Sequence, residues 1–125
     1  MHVSYWCVLA AALLPFAFTA IAKGIGRREF SNRAPRVFQS KLTGMAARAH
    51  WAHQNSFEAF PPFAAAVLIA QQLGAAQGRI DTLAIAFVVL RVLYGICYLA
   101  DQATLRSLVW TAGFACTVAL FVIGA

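Results

Sequence analysis

Apolar and polar positions along this chain fall into long blocks rather than alternating. Residues 3–22, 80–100 and 105–123 are nearly continuous apolar runs, and the middle one carries a single charge in its interior, Arg91. A helix that crosses a bilayer takes about 20 mostly apolar residues. Backbone groups inside lipid must be satisfied internally, so helices or a closed barrel are the options, and unbroken runs fit only helices. A fourth run, 59–73, is too short to span alone. Extended back through 45–57 it becomes a long helix whose lower half is polar. The pattern therefore predicts an all-α integral membrane protein, a four-transmembrane-helix bundle. Residues 1–125 form one domain with helices over about 3–22, 42–73, 80–100 and 104–124. Pro15 is expected to kink the first helix, and Pro61 and Pro62 to bend the second. Residues 24–40 mix Gly, Pro, Asn and Arg and read as a loop.

Composition strengthens the membrane reading. Hydrophobic residues make up 62% of the 125 residues and charged ones 11%, against about 45–50% and about 25% in soluble domains. The net charge is +6. A basic balance can mean nucleic acid or an anionic membrane face, and the apolar excess selects the membrane; no nucleic-acid partner is expected. Lys23, Arg27, Arg28, Arg33, Arg36, Lys41 and Arg48 precede or open the second helix. The connection after it has only Arg79. Positive residues stay cytoplasmic, which makes 23–41 a cytoplasmic basic loop and puts both termini outside the cytoplasm. No Lys or Arg precedes residue 3, whereas basic residues follow the first span, the reverse of a cleaved signal peptide. Cys7, Cys97 and Cys116 lie scattered in apolar runs and read as small buried hydrophobes.

The second helix carries the candidate chemistry. At 100° per residue, Arg48, Trp51, Gln54, Asn55 and Glu58 share an arc of about 120°, with His50 beside it and His53 pointing elsewhere. A charge at the bilayer centre costs on the order of 3 kcal/mol on the lenient insertion scale, so this stripe must face other helices or a wet cleft. Spacing alone leaves a structural polar zipper and a binding site equally open. The third span favours the site: Arg91, Tyr94, Tyr98 and Asp101 lie within about 80° on one face. Arg91 is too deep to snorkel easily and needs an anion, for which Glu58 is the best candidate. Arg106 and Ser107 open the fourth span. These groups point to a cytoplasmic-side cleft suited to a small, polar, anionic molecule. His50 and His53 lack the partners of a metal site and read as packing; no metal is expected. Trp6 and Trp110 read as interfacial anchors, and Arg79 and Asp81 as solvated helix ends.

Asn55-Ser56-Phe57-Glu58, followed by an aromatic residue and Pro61, resembles the Asn-x-x-Glu-x-x-Pro signature of the MAPEG family, the membrane-associated proteins in eicosanoid and glutathione metabolism. Arg91-x-x-Tyr94-x-x-x-Tyr98 also matches, Arg27-Arg28-Glu29-Phe30 resembles the end of that family's first helix, and Arg106-Ser107 the start of its fourth. The resemblance implies a homotrimer with glutathione as co-substrate in a cleft between protomers. Asn55 and Glu58 would hold its peptide and amino end, Tyr94 and Tyr98 would contact it, and Arg28 would meet a carboxylate. Arg106, with Ser107 beside it, would stabilise the thiolate. Arg91 would pair with Glu58 or lie near the ligand's charges. As a bacterial-type member the chain would sit in the cell inner membrane and act on lipophilic electrophiles or hydroperoxides.

Two positions depart from the family pattern. Trp51 stands where glutathione-using members have Arg, with Arg48 a turn earlier on the same face, and Gln54 stands where several have a basic residue. The family also holds a non-enzymatic arachidonate-binding member, so a lipid- or ligand-binding protein without chemistry is the second reading. A third is a small drug–proton antiporter using Glu58, against which the first span has no carboxylate.

Overall fold

The structure, a computed structural model, describes residues 1–26 and 33–125. Among the described residues the chain forms five helices: α1 (Val3–Ile25), α2 (Pro35–Ser40), α3 (Gly44–Gln72), α4 (Gln77–Leu99) and α5 (Ala103–Val122). Three of them, α1, α4 and α5, are long and apolar enough to cross a membrane. The longest, α3, has 29 residues, about 43 Å at 1.5 Å per residue. It stays outside that class because its first half holds Arg48, His50, His53, Gln54, Asn55 and Glu58.

α1 packs chiefly on α3, and α4 on α5. The inward side of the first half of α3 carries a row of small residues, Ala46, Ala49, Ala52 and Ser56, all buried. Small side chains let helix backbones approach closely, which replaces the hydrophobic drive that lipid does not supply. Gly95 does the same on α4, where the Phe18 ring of α1 occupies the space a side chain would take.

The apolar core is off-centre. Cys7, Ala11, Phe63, Ala66, Val67, Ala70, Ile80, Ala84, Phe87 and Leu120 form one cluster. They come from the first half of α1 and α4 and the second half of α3 and α5. Phe63 and Phe87 stack at its centre, 3.9 Å between ring centroids. The opposite half of the bundle is thereby left to the polar positions. Large apolar side chains such as Leu9, Leu13, Phe16, Val89, Ile96, Leu108, Phe114 and Val118 face outward, as a lipid solvent or a further protein surface requires.

Two local findings differ from the sequence expectations. The stretch 23–41 is not wholly loop: Pro35 starts α2 at a position where a missing N–H costs nothing. α2 docks on α1 through buried Phe38 and a hydrogen bond of 2.7 Å from Gln39 Nε2 to Thr19 Oγ1. Asp81 is not merely solvated. Its Oδ1 accepts the backbone N–H of Ser4 at 3.1 Å and Gln77 Nε2 at 2.8 Å. It thus satisfies a free donor in the first turn of α1 from another helix. As expected for a helix over 42–73, α3 continues through Pro61 and Pro62. Each lacks the N–H that would bond four residues back, which releases the carbonyls of Phe57 and Glu58.

Candidate functional site

The polar half of α3 faces α4 and α5. Asn55 and Glu58, one turn apart, line a pocket of about 140 Å³ with Ala59, Pro62, Phe87, Arg91, Trp110, Phe114 and Thr117. A second, more open pocket of about 240 Å³ is lined by Tyr94, Arg106, Ser107, Trp110 and Thr111. Trp110 belongs to both, so the two form neighbouring chambers, the first mostly apolar and the second of mixed polarity. Its indole stacks on Phe114, 5.3 Å between centroids at 6°, as the i,i+4 spacing on a helix allows. Trp110 is therefore a wall of the site and not simply an interfacial anchor.

Arg91 lines the first of these pockets and is only 3% exposed. Its partner is not the expected Glu58. The Nη2 group donates to Asn55 Oδ1 at 2.7 Å and, more weakly, to Ser56 Oγ at 3.4 Å. The guanidinium also lies 4.2 Å from the Tyr94 ring centroid. Geometry explains the choice. Asn55 and Ser56 lie on the inward side of α3, whereas Glu58 is exposed at the rim. The arrangement leaves a buried cation facing neutral dipoles and a π-face, so the pocket has a positive floor and a carboxylate at its edge.

Beyond Arg91 the polar face continues as an aromatic ladder. Tyr94 and Tyr98 meet edge-to-face at 5.6 Å. The Arg106 guanidinium carbon lies 4.3 Å over the Tyr98 ring centroid, within cation–π range. Trp51 packs against the far side of this group, 6.2 Å from Tyr98. The fold thus brings Asn55, Glu58, Arg91, Tyr94, Tyr98, Arg106 and Ser107 together along α3, α4 and α5. Arg28, the remaining expected contact, lies outside the described residues, as do Arg27, Glu29 and Phe30.

Arg48 does not join this face as a substitute for the arginine missing at position 51. Its Nε and Nη2 both donate to the Leu99 carbonyl, at 3.4 and 3.3 Å. That carbonyl is one of the unsatisfied acceptors at the end of α4, where a cation is also favoured by the helix dipole. His53 points away from the stripe. Its Nδ1 lies 2.7 Å from the Pro15 carbonyl, and since a carbonyl only accepts, Nδ1 carries the proton. With His50, 6.0 Å from it, it lines an open pocket of about 600 Å³ beside α2, together with Arg36, Gln39 and Glu58. Among the described residues no group of three or more His, Cys, Asp and Glu is placed to hold a metal ion.

Ser56, Phe87 and Thr117 were not singled out as site residues from sequence. Ser56 lies about 100° from Asn55 on α3 and meets Arg91 only because that side chain reaches across from α4. Trp110 was more legible. It follows Ser107 by three residues and Arg106 by four, the spacing of a shared helix face.

No curated protein and no solved structure matches this chain. The model of the MAPEG family, by contrast, matches residues 3–125. With its apolar helices and the polar face assembled on α3, α4 and α5, this all-helical membrane protein belongs to the MAPEG family.

Proposed function

We propose that the protein is a membrane-bound, glutathione-dependent transferase or peroxidase acting on lipophilic electrophiles or hydroperoxides. Membership of the MAPEG family supports glutathione-related chemistry at a membrane in general. The observation that carries the specific reading is the Arg106–Tyr98 pair at 4.3 Å, with Arg106 in the wall of one pocket and a mostly apolar pocket on the other side of Trp110. In this reading α3 is the fourth span, with both termini outside the cytoplasm of a cell inner membrane. The working unit is a homotrimer in which Arg28 reaches a ligand carboxylate.

The chemistry follows from the charges. A free thiol has a pKa near 8.5 and is mostly protonated at neutral pH. A guanidinium beside it lowers that pKa and raises the thiolate fraction, and the thiolate is the nucleophile. Arg106 is the catalytic residue in this role. Tyr98 holds its plane, and Tyr94 and Ser107 supply hydroxyls next to it. Asn55 and Glu58 take the peptide and amino end of glutathione. Attack of the sulfur on an electrophilic carbon forms a C–S bond while the leaving group departs with its electron pair. Attack on a hydroperoxide transfers the distal oxygen to sulfur and releases the alcohol. A second glutathione then displaces water to form the disulfide. Phe87, Trp110 and Phe114 give the apolar co-substrate a wall to lie against.

Calorimetric titration of glutathione into detergent-purified protein, alongside Asn55→Ala, tests this reading. Saturable binding that the substitution abolishes supports it. Absence of binding at millimolar glutathione, with the protein folded, overturns it. One pair of findings favours a second reading, a lipid-binding member without chemistry: Trp51 replaces an arginine, and Arg48 is committed to the end of α4. Binding of a fatty acid but not glutathione would select it.

A further inference from the structure

We propose that Arg91 is a positioning residue that locks the Asn55 amide, so that Asn55 meets its ligand only as a hydrogen-bond donor. The identity of the ligand rests on the glutathione reading; the geometry does not. An arginine has five N–H donors and no acceptor. The Asn55 atom 2.7 Å from Arg91 Nη2 must therefore be the carbonyl oxygen, whichever way the amide is otherwise drawn. With Oδ1 directed at Arg91, the planar amide points its Nδ2 group, with two N–H donors, the other way. Asn55 is half-buried in the pocket wall beside Glu58.

The lock is stiff because Arg91 itself is held. It is 3% exposed, shares Nη2 with Ser56 and stands on the Tyr94 ring. On the α5 side Gly113 lies beside its stem, with room for no more than an ordinary contact between an added Cβ and Arg91 Cδ, at 3.9 Å. A free asparagine can flip and offer an acceptor or a donor with equal ease. A locked one discriminates. It accepts an amide carbonyl or carboxylate oxygen and rejects a group that has only N–H to offer, because facing donors repel and leave a polar group unpaired. Since Arg91 bonds Asn55 rather than Glu58, the carboxylate stays available for a cationic group next to that acceptor.

Substituting Asn55→Asp separates this from a merely structural contact. Aspartate keeps an acceptor for Arg91 and adds an opposite charge, yet has no N–H for a ligand. Thermal unfolding in detergent should place Asn55→Asp at or above the wild-type midpoint and Asn55→Ala below it. Glutathione affinity measured by calorimetry should fall at least tenfold in both. At Arg91, lysine retains a donor and methionine does not. Arg91→Lys should therefore keep glutathione affinity within tenfold of wild type, while Arg91→Met should lose more. Wild-type affinity in Asn55→Asp overturns the proposal, and so does a midpoint lowered as far as in Asn55→Ala. If the wild-type protein binds no glutathione, the functional reading falls, and the two unfolding midpoints still decide the Arg91–Asn55 lock.

Discussion

The guanidinium of Arg106 lies over the Tyr98 ring, its central carbon 4.3 Å from the ring centroid. What Tyr98 supplies at this contact is its π-face. Removing the ring while keeping bulk, Tyr98→Leu, should cost about 1–2 kcal/mol of Arg106 placement, read as a roughly 5- to 30-fold fall in kcat/KM for glutathione conjugation. Tyr98→Phe keeps the ring and should stay within about threefold of wild type. Equal losses in the two variants would show that the hydroxyl, not the ring, does the work.

Under the proposed function, Arg106→Gln removes the cation beside the glutathione thiol. An arginine holds its charge throughout the accessible pH range, so on that reading the bound thiol's pKa should be depressed in the wild-type protein and activity retained to lower pH. Without the cation the thiol titrates higher. The rising limb of the rate–pH profile should move to higher pH by about one unit, from one nearby charge partly screened by water. At saturating pH much of the lost rate should return. An unmoved profile with a uniformly lower rate would mean that Arg106 only binds substrate.

Gly95 makes room for Phe18 between α1 and α4. A Cβ at this position would fall within the Phe18 ring, and Phe18 is itself buried. Overpacking of this kind costs about 1–3 kcal/mol. Gly95→Ala should lower the midpoint of thermal unfolding in detergent, and Gly95→Ala with Phe18→Leu should recover part of it. If the single substitution leaves the midpoint unchanged, the α1–α4 contact is looser than described.

Arg48 and Trp51 separate stability from binding on one helix face. Arg48 caps the Leu99 carbonyl, so Arg48→Ala should destabilise by about 1 kcal/mol with glutathione affinity nearly unchanged. Trp51→Arg places a cation beside Tyr98, one turn from Asn55, and should tighten glutathione binding several-fold. Calorimetry of both variants checks this. A larger affinity loss in Arg48→Ala than in Asn55→Ala would move Arg48 back into the ligand site.

Helix content and the candidate polar face were legible in the residues because both are local properties. A run such as 80–100 can satisfy its backbone in lipid only as helix, and a repeat of 3.6 residues assigns Arg91, Tyr94 and Tyr98 to one side whatever the rest of the chain does. Family membership was legible for a related reason. The spacings Asn55–Glu58 and Arg91–Tyr94–Tyr98 lie within single helices and survive in sequence without any knowledge of packing.

Pairings between helices were not local, and there the tertiary structure decided. Charge alone assigns Arg91 to Glu58, the nearest opposite sign on the facing stripe. The fold rotates α3 so that Asn55 and Ser56 turn inward and Glu58 stays at the rim, and a buried guanidinium takes the partners within reach rather than the one with the strongest charge. By the same rule Arg48 reaches Leu99 instead of the cleft, and Asp81 caps α1 instead of water. Periodicity says which side of a helix a residue lies on. Only the packing of one helix on another says which atom waits there.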